Sequence, residues 1–228
     1  MSGELTLRPI ARAVNGYAEK FGVPRQAGVV PQAETLIVLE PEFSVPDALR
    51  GLEGFSHLWL IWGFSGSYGK PWSPTVRPPR LGGNRRMGVF ATRSPVRPNP
   101  LALSCVELGG IEEHEGRLAL RVRGADLMSG TPVYDIKPYL AYADAVPAAA
   151  PGWTAGLSER TLTVDFPPEL LRAVPEEVRP ALLAVLSHDP RPAYARDGEK
   201  EYGLTYGGVN VRFTVSAGVL RVKAAEKG

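Results

Sequence analysis

Proline and glycine break this chain so often that long helices have little room, above all between Pro71 and Pro100. With 22 prolines and 25 glycines in 228 residues, turns are many and short strands are favoured. Leu36-Ile37-Val38-Leu39 and His57-Leu58-Trp59-Leu60-Ile61-Trp62 read as buried strands. Pro71 to Gly83 reads as a long loop, after which Arg86 to Thr92 resumes the sheet. Leu101 to Leu108 and Leu118 to Val122 form a hairpin candidate across Gly109-Gly110 and an acidic turn ending at Gly116. In its second arm Leu118, Leu120 and Val122 alternate with Ala119, Arg121 and Arg123, the period of a half-exposed strand. Val133 to Tyr139 is the last strand of this part.

Composition then shifts. Ala145 to Gly152 reads as a linker. Beyond it Leu170, Leu171, Val174, Val178, Leu182, Val185 and Leu186 fall at helical spacing, cut at Pro175 and Pro180 into one short and one longer helix. Val209 to Val215 and Val219 to Val222 form a closing hairpin around Ser216-Ala217-Gly218. The expectation is a mainly β domain over residues 1–146 and a small α+β domain over 147–228.

No Gly-x-Gly-x-x-Gly follows a strand, and there is no P-loop, nucleophile elbow or zinc-type histidine pair. A Rossmann fold has no support. The single cysteine, Cys105, excludes an internal disulfide framework and reads as a small buried hydrophobe. No metal site is expected. The first residues lack a signal-peptide core, and the apolar stretch Leu58 to Phe64 is too short to span a bilayer. These features predict a cytoplasmic protein without a membrane partner.

Net charge is only +2, yet no acidic residue stands between Glu53 and Glu107, where Lys70, Arg77, Arg80, Arg85, Arg86, Arg93 and Arg97 all lie. Such a block suits an electropositive face for phosphate groups. Solvated loop arginines paired with distant acids are the plainer alternative.

Four segments carry polar side chains where packing does not require them. They are Lys20-Phe21-Gly22-Val23-Pro24-Arg25-Gln26, His57 at the start of its apolar strand, Arg93-Ser94-Pro95-Val96-Arg97-Pro98-Asn99-Pro100-Leu101, and Asp126-Leu127-Met128-Ser129-Gly130-Thr131-Pro132 leading into Asp135-Ile136-Lys137-Pro138-Tyr139. Prolines preset the backbone in the third, so its arginines and asparagine are held with little entropy left to lose. Singly, Arg25 reads as a surface charge, Asp126 as a turn former, and Asn99 as bonding its own loop. Together they outline a polar, proline-stiffened pocket beside a basic loop.

Pro24-Arg25-Gln26, Leu52-Glu53-Gly54-Phe55-Ser56-His57-Leu58-Trp59, Arg93 to Leu101 and Asp126 to Tyr139 resemble the TsaA-like family, whose tRNA-modifying members are called TrmO. Asp189-Pro190-Arg191-Pro192-Ala193-Tyr194 resembles the C-terminal domain of the same enzymes. The resemblance implies a small β-barrel-like domain, a homodimer, and S-adenosylmethionine-dependent methylation of N6 of threonylcarbamoyl-adenosine at tRNA position 37. It implies a cofactor site at Pro24, Arg25, Gln26, His57, Leu58, Arg93, Leu103, Asp126, Leu127, Met128 and Ser129. Ser129 departs from the acidic residue expected in many relatives.

On that reading Asn99 is the candidate to orient the reacting amine, and Arg77, Arg80, Arg85, Arg86 and Arg97 would meet the phosphates of the tRNA anticodon loop. Arg191, Tyr194, Arg196 and Lys200 are further RNA contacts, with Tyr194 either stacking on a base or packing internally. A non-catalytic RNA- or nucleotide-binding module of the same fold is the alternative. A methyltransferase for another substrate is a third reading.

Overall fold

The computed structural model describes residues 3–157, 161–192, 195 and 197–228. Its first strands are β1 (Ala11–Asn15), β2 (Glu34–Leu39) and β3 (His57–Gly63). Two short strands follow, β4 (Thr75–Val76) and β5 (Met87–Gly88), and then β6 (Leu101–His114), β7 (Arg117–Arg123) and β8 (Pro132–Pro138). Strands β1, β2, β7, β6, β3 and β8 close into a barrel in that order, while β4 and β5 make a separate two-stranded ribbon. Closure satisfies every strand edge that an open sheet would leave bare.

The barrel follows from side-chain parity. In β3 Leu58, Leu60 and Trp62 point inward and are buried, whereas His57, Trp59 and Ile61 alternate with them on the outer face. Ile37, Val106, Leu120, Val122 and Val133 join the inner set. The hairpin of β6 and β7 differs from the sequence reading. Strand β6 runs on through Gly109-Gly110 with a register shift there, and the chain reverses only at Glu115-Gly116. The bulge absorbs the two glycines without ending the strand. Arg86 to Thr92 also differs: only Met87–Gly88 is extended, and Val89–Ala91 turns as a 3-10 helix with Val89 buried and Phe90 outside.

A short helix, α1 (Ala141–Asp144), precedes the exposed linker. The second unit contains β9 (Thr163–Asp165), α2 (Pro168–Leu171), α3 (Arg179–Ser187), β10 (Gly198–Tyr206), β11 (Val209–Ser216) and β12 (Val219–Lys227). Its sheet runs β10-β11-β12-β9, with β9 parallel to β12. Leu182, Val185 and Leu186 of α3 bury onto Val211, Phe213 and Leu220. The short and longer helices and the closing hairpin stand where the sequence puts them.

The connection between β1 and β2 crosses to this second core. Tyr17, Val30 and Ala33 are buried in it, with Phe21 and Val23 packed against it. The Gly207 N–H donates to the Gly16 carbonyl at 3.0 Å, and Tyr17 and Tyr206 meet edge to face at 4.9 Å. The segment that leads into Pro24-Arg25-Gln26 is therefore positioned by the C-terminal unit. No helix among the described residues is long and apolar enough to cross a membrane.

Candidate active site

A cleft of about 1170 Å³ opens where four loops meet the outside of β3 and β6. One wall is residues 23–26, another the loop after β3 from Phe64 to Lys70, a third Arg93 to Asn99, and the fourth Asp126 to Met128. Trp59, Ile61 and Leu103 give it an apolar floor. Pockets of this size with an apolar lining and a few convergent polar groups suit small organic ligands.

Asp126 is anchored from the barrel interior. Ser104, buried on β6, donates its hydroxyl to Asp126 Oδ1 at 2.5 Å, and the Trp62 indole N–H donates to Ser104 Oγ at 2.8 Å. This relay fixes one face of the carboxyl. Burial raises the Asp126 pKa above the usual carboxylate range; the Ser104 hydroxyl, its own backbone N–H, Arg93 and the Ala27 N–H oppose that rise without cancelling it. The neighbouring Tyr17 hydroxyl is buried without a hydrogen-bond partner among the described residues. Burial first, then Tyr206 and Asp126, pushes its pKa far up, so it stays neutral.

The opposite side is a chain of cations and amides. Arg93 donates from Nη1 to Gln26 Oε1, and Gln26 donates to the Arg25 carbonyl. Arg25 Nη2 donates to the Arg191 carbonyl at 2.7 Å. Arg97 is braced by the Thr92 carbonyl at 3.3 Å, and the exposed Asn99 stands beside it on the cleft wall. Guanidinium forks facing a partly buried carboxyl suit a zwitterionic ligand. Among the described residues no His, Cys, Asp and Glu group is arranged to hold a metal.

Of the cofactor residues implied by resemblance, Pro24, Arg25, Gln26, Arg93, Leu103, Asp126, Leu127 and Met128 line this one cleft. His57, Leu58 and Ser129 do not. Leu58 points into the barrel and is fully buried. Ser129 is exposed, its backbone N–H spent on the Tyr17 carbonyl at 2.9 Å. His57 lies on the outer face beyond Trp59, bonded to Ser56 Oγ at 3.0 Å and tilted against Tyr139.

Arg77, Arg80, Arg85 and Arg86 ride on the loop between β4 and β5, whose Pro79 reaches the cleft. Three of them are exposed and Arg80 is half-buried. Arg191 is a correction to the RNA-facing set. Its guanidinium is only 4% exposed and bonds Asp189 at 2.8 Å and Asp197 at 3.2 Å. It closes a structural ion-pair knot, and its carbonyl, not its charge, reaches the site. Lys200 is exposed, with its ammonium 5.2 Å from the Tyr202 ring. Tyr194 and Arg196 lie outside the described residues.

Ser104, Trp62 and Phe90 belong to the site's surroundings without having been singled out from sequence, while Lys70, read there only as part of the basic block, also lines the cleft. Ser104 had a signal: it is a hydroxyl at an inward parity position among apolar residues. Phe90 had none, because an aromatic inside Arg86 to Thr92, a stretch that reads as strand, reads as packing.

Residues 13–145 match the family model described as the tRNA-methyltransferase O N-terminal domain, and residues 159–228 match the TrmO C-terminal domain. The chain belongs to the TrmO family. A relative from Escherichia coli (strain K12), named tRNA (adenine(37)-N6)-methyltransferase, is 43% identical, over 92% of this chain and 93% of that protein. One of the same name from Eikenella corrodens is 46% identical, over 75% and 96% respectively. A crystal structure of TrmO from Pseudomonas aeruginosa superposes with a TM-score of 0.78 at 30% identity, covering 97% of this chain and 98% of that one. Membership in TrmO makes the six-stranded barrel with its α+β partner the family's own architecture, in agreement with the mainly β expectation.

Proposed function

We propose that this TrmO protein transfers a methyl group from S-adenosylmethionine to N6 of threonylcarbamoyl-adenosine at position 37 of tRNA, in the cytoplasm. The observation that carries the reading is the convergence of Arg25, Arg93 and Asp126 on one cleft with an apolar floor, joined to relatives named tRNA (adenine(37)-N6)-methyltransferase.

Residues at the cleft fit the cofactor's chemistry. The Arg25 and Arg93 forks match a carboxylate of the methionine moiety, and Asp126 matches its hydroxyl or ammonium donors. Leu103 and Met128 offer apolar and polarisable contact for the sulfur-bearing chain. When bound, S-adenosylmethionine supplies a methyl group activated by its sulfonium. The protein's remaining task is to position the amine in line, since positioning alone contributes a large part of such a barrier. Asn99, held between Pro98 and Pro100, presents an amide oxygen to orient the N6–H. Arg77, Arg85 and Arg86 hold the anticodon loop by its phosphates, where bases splay out without melting a duplex.

A homodimer is part of the reading. His57 and Trp59 share the outer barrel face with Leu103, which is 53% exposed. A second copy seated there covers apolar surface and brings the His57 imidazole toward a cleft that one chain leaves without it.

The test is nucleoside mass spectrometry of tRNA incubated with the purified protein and S-adenosylmethionine. The methylated form of threonylcarbamoyl-adenosine is the expected product. Asn99→Ala should slow turnover at least roughly tenfold with cofactor affinity kept, the range of one lost polar transition-state contact. The affinity for tRNA should fall steeply with salt, in proportion to the phosphates neutralised. No product, with calorimetry showing no binding of S-adenosylmethionine, leaves instead the non-catalytic module.

A further inference from the structure

Phe90 is 74% exposed, although the turn beneath it is hydrogen-bonded on both sides. Val89 is buried and donates its N–H to the Pro74 carbonyl at 2.9 Å. The Thr92 N–H and hydroxyl both donate to the Val89 carbonyl, at 3.1 and 2.8 Å. On the other side the Trp153 indole donates to the Ala91 carbonyl at 2.7 Å, tying the turn to the chain beyond the linker. A mobile loop would fold such a ring back onto apolar surface; this turn is pinned at both shoulders and holds it out.

The ring is also part of the cleft lining, together with Lys70, Arg93 and Arg97. No carboxylate occurs in the chain from residue 54 to residue 106. An aromatic face sharing the cleft lining with three cations matches one ligand chemistry well: a nucleobase carried on a phosphate backbone, with the base on the ring and the phosphates on the cations. An apolar peptide segment would use the ring without needing that charge. The binding of a base to a preset ring also loses little conformational entropy.

We propose that Phe90 is a stacking platform for a nucleobase of the tRNA anticodon loop at the mouth of the cleft, a contact to substrate RNA and not to the cofactor. The proposal rests on the tRNA reading above. Stacking of this kind tolerates any base, so Phe90 contributes to holding the loop, while polar groups deeper in the cleft select the adenine.

Three variants test it: Phe90→Ala, Phe90→Leu and Phe90→Tyr, all at an exposed position where folding is not at stake. Steady-state methylation of tRNA gives KM and kcat, and calorimetry gives the affinity for S-adenosylmethionine. Loss of one base–aromatic stack should raise KM for tRNA by roughly tenfold in Phe90→Ala. Phe90→Leu should be nearly as impaired, because an aliphatic chain has no π face, and Phe90→Tyr should stay within about twofold of the parent. Affinity for S-adenosylmethionine should be unchanged in all three. An unchanged KM in Phe90→Ala, or full recovery in Phe90→Leu, overturns the proposal. So does weakened binding of S-adenosylmethionine, which would place the ring on the cofactor, or a drop in sedimenting mass, which would place it under a second copy. If the tRNA reading itself is wrong, the unaltered protein shows it first, by methylating no tRNA.

Discussion

Asp126 sits between two opposed influences. Burial favours its neutral form, while the Ser104 hydroxyl, nearby backbone N–H groups and Arg93 favour the anion, and burial prevails. Its proton in the folded protein is therefore held more tightly than in the unfolded chain. Ionisation then costs stability, so this carboxyl favours folding on the acid side and loses that contribution as pH rises through its raised value. Ligand binding through the anion has the opposite sense: it is complete above the raised value and lost as pH falls through it. Affinity for S-adenosylmethionine should accordingly decline at a pH above the ordinary carboxylate range. Asp126→Asn should weaken it roughly tenfold or more, the range of a charge-assisted hydrogen bond, and abolish its acid-side pH dependence. Calorimetry across pH measures both, with tRNA affinity as the control. A variant that keeps the parent's pH profile would exclude Asp126 from the cofactor.

Among the elements, the connection from β1 to β2 has the least tolerance for change. Gly22 adopts φ +93, and a Cβ there would lie 2.1 Å from Leu204 Cδ1. Gly22→Ala thus meets both a disfavoured backbone and a buried leucine, and should cost about 2–4 kcal/mol in urea unfolding. Gly218 has φ +76 with nothing within 4 Å, so Gly218→Ala reports the backbone part alone and should cost about 1–2 kcal/mol. Equal losses at the two sites would show that the Leu204 contact carries nothing. This connection also marks where sequence reading stops. The alternation in Leu118 to Val122 and the three-four spacing in α3 are local patterns, and they revealed β7 and the helix directly. Residues 16–33 carry no period because Tyr17, Val30 and Ala33 pack into a core built from strands and a helix far along the chain. Arg25 and Arg93 were legible as candidates through proline and charge. That Arg25 rests on the Arg191 carbonyl was not, since Arg191 in sequence is simply another cation, and only its burial beside Asp189 and Asp197 reveals a structural part.

On the scale of the molecule, the uneven charge matters more than the total. The seven cations between residues 54 and 106 gather around the ribbon and the cleft mouth, and acids such as Glu107, Glu112 and Glu34 are committed to Arg121 and Arg123 on the barrel wall. The homodimer proposed above would cover the outer barrel face around His57, which stands outside the cleft lining. Sedimentation equilibrium should therefore give a mass of twice 24.6 kDa. A single species at the monomer mass under assay conditions would remove the second copy from the functional reading.

The crossing of residues 16–33 into the distant core also governs timing. During synthesis this stretch leaves the ribosome well before β10 and β11 exist, so Tyr17, Val30 and Ala33 must wait, apolar and uncovered, for strands made near the finish. The barrel's own strands are complete by β8, yet the Arg25 wall of the cleft gains its support at the Arg191 carbonyl only when the late residues arrive. A nascent chain halted after the linker would have a closed barrel and a loose Arg25, and competence would appear in a single late step.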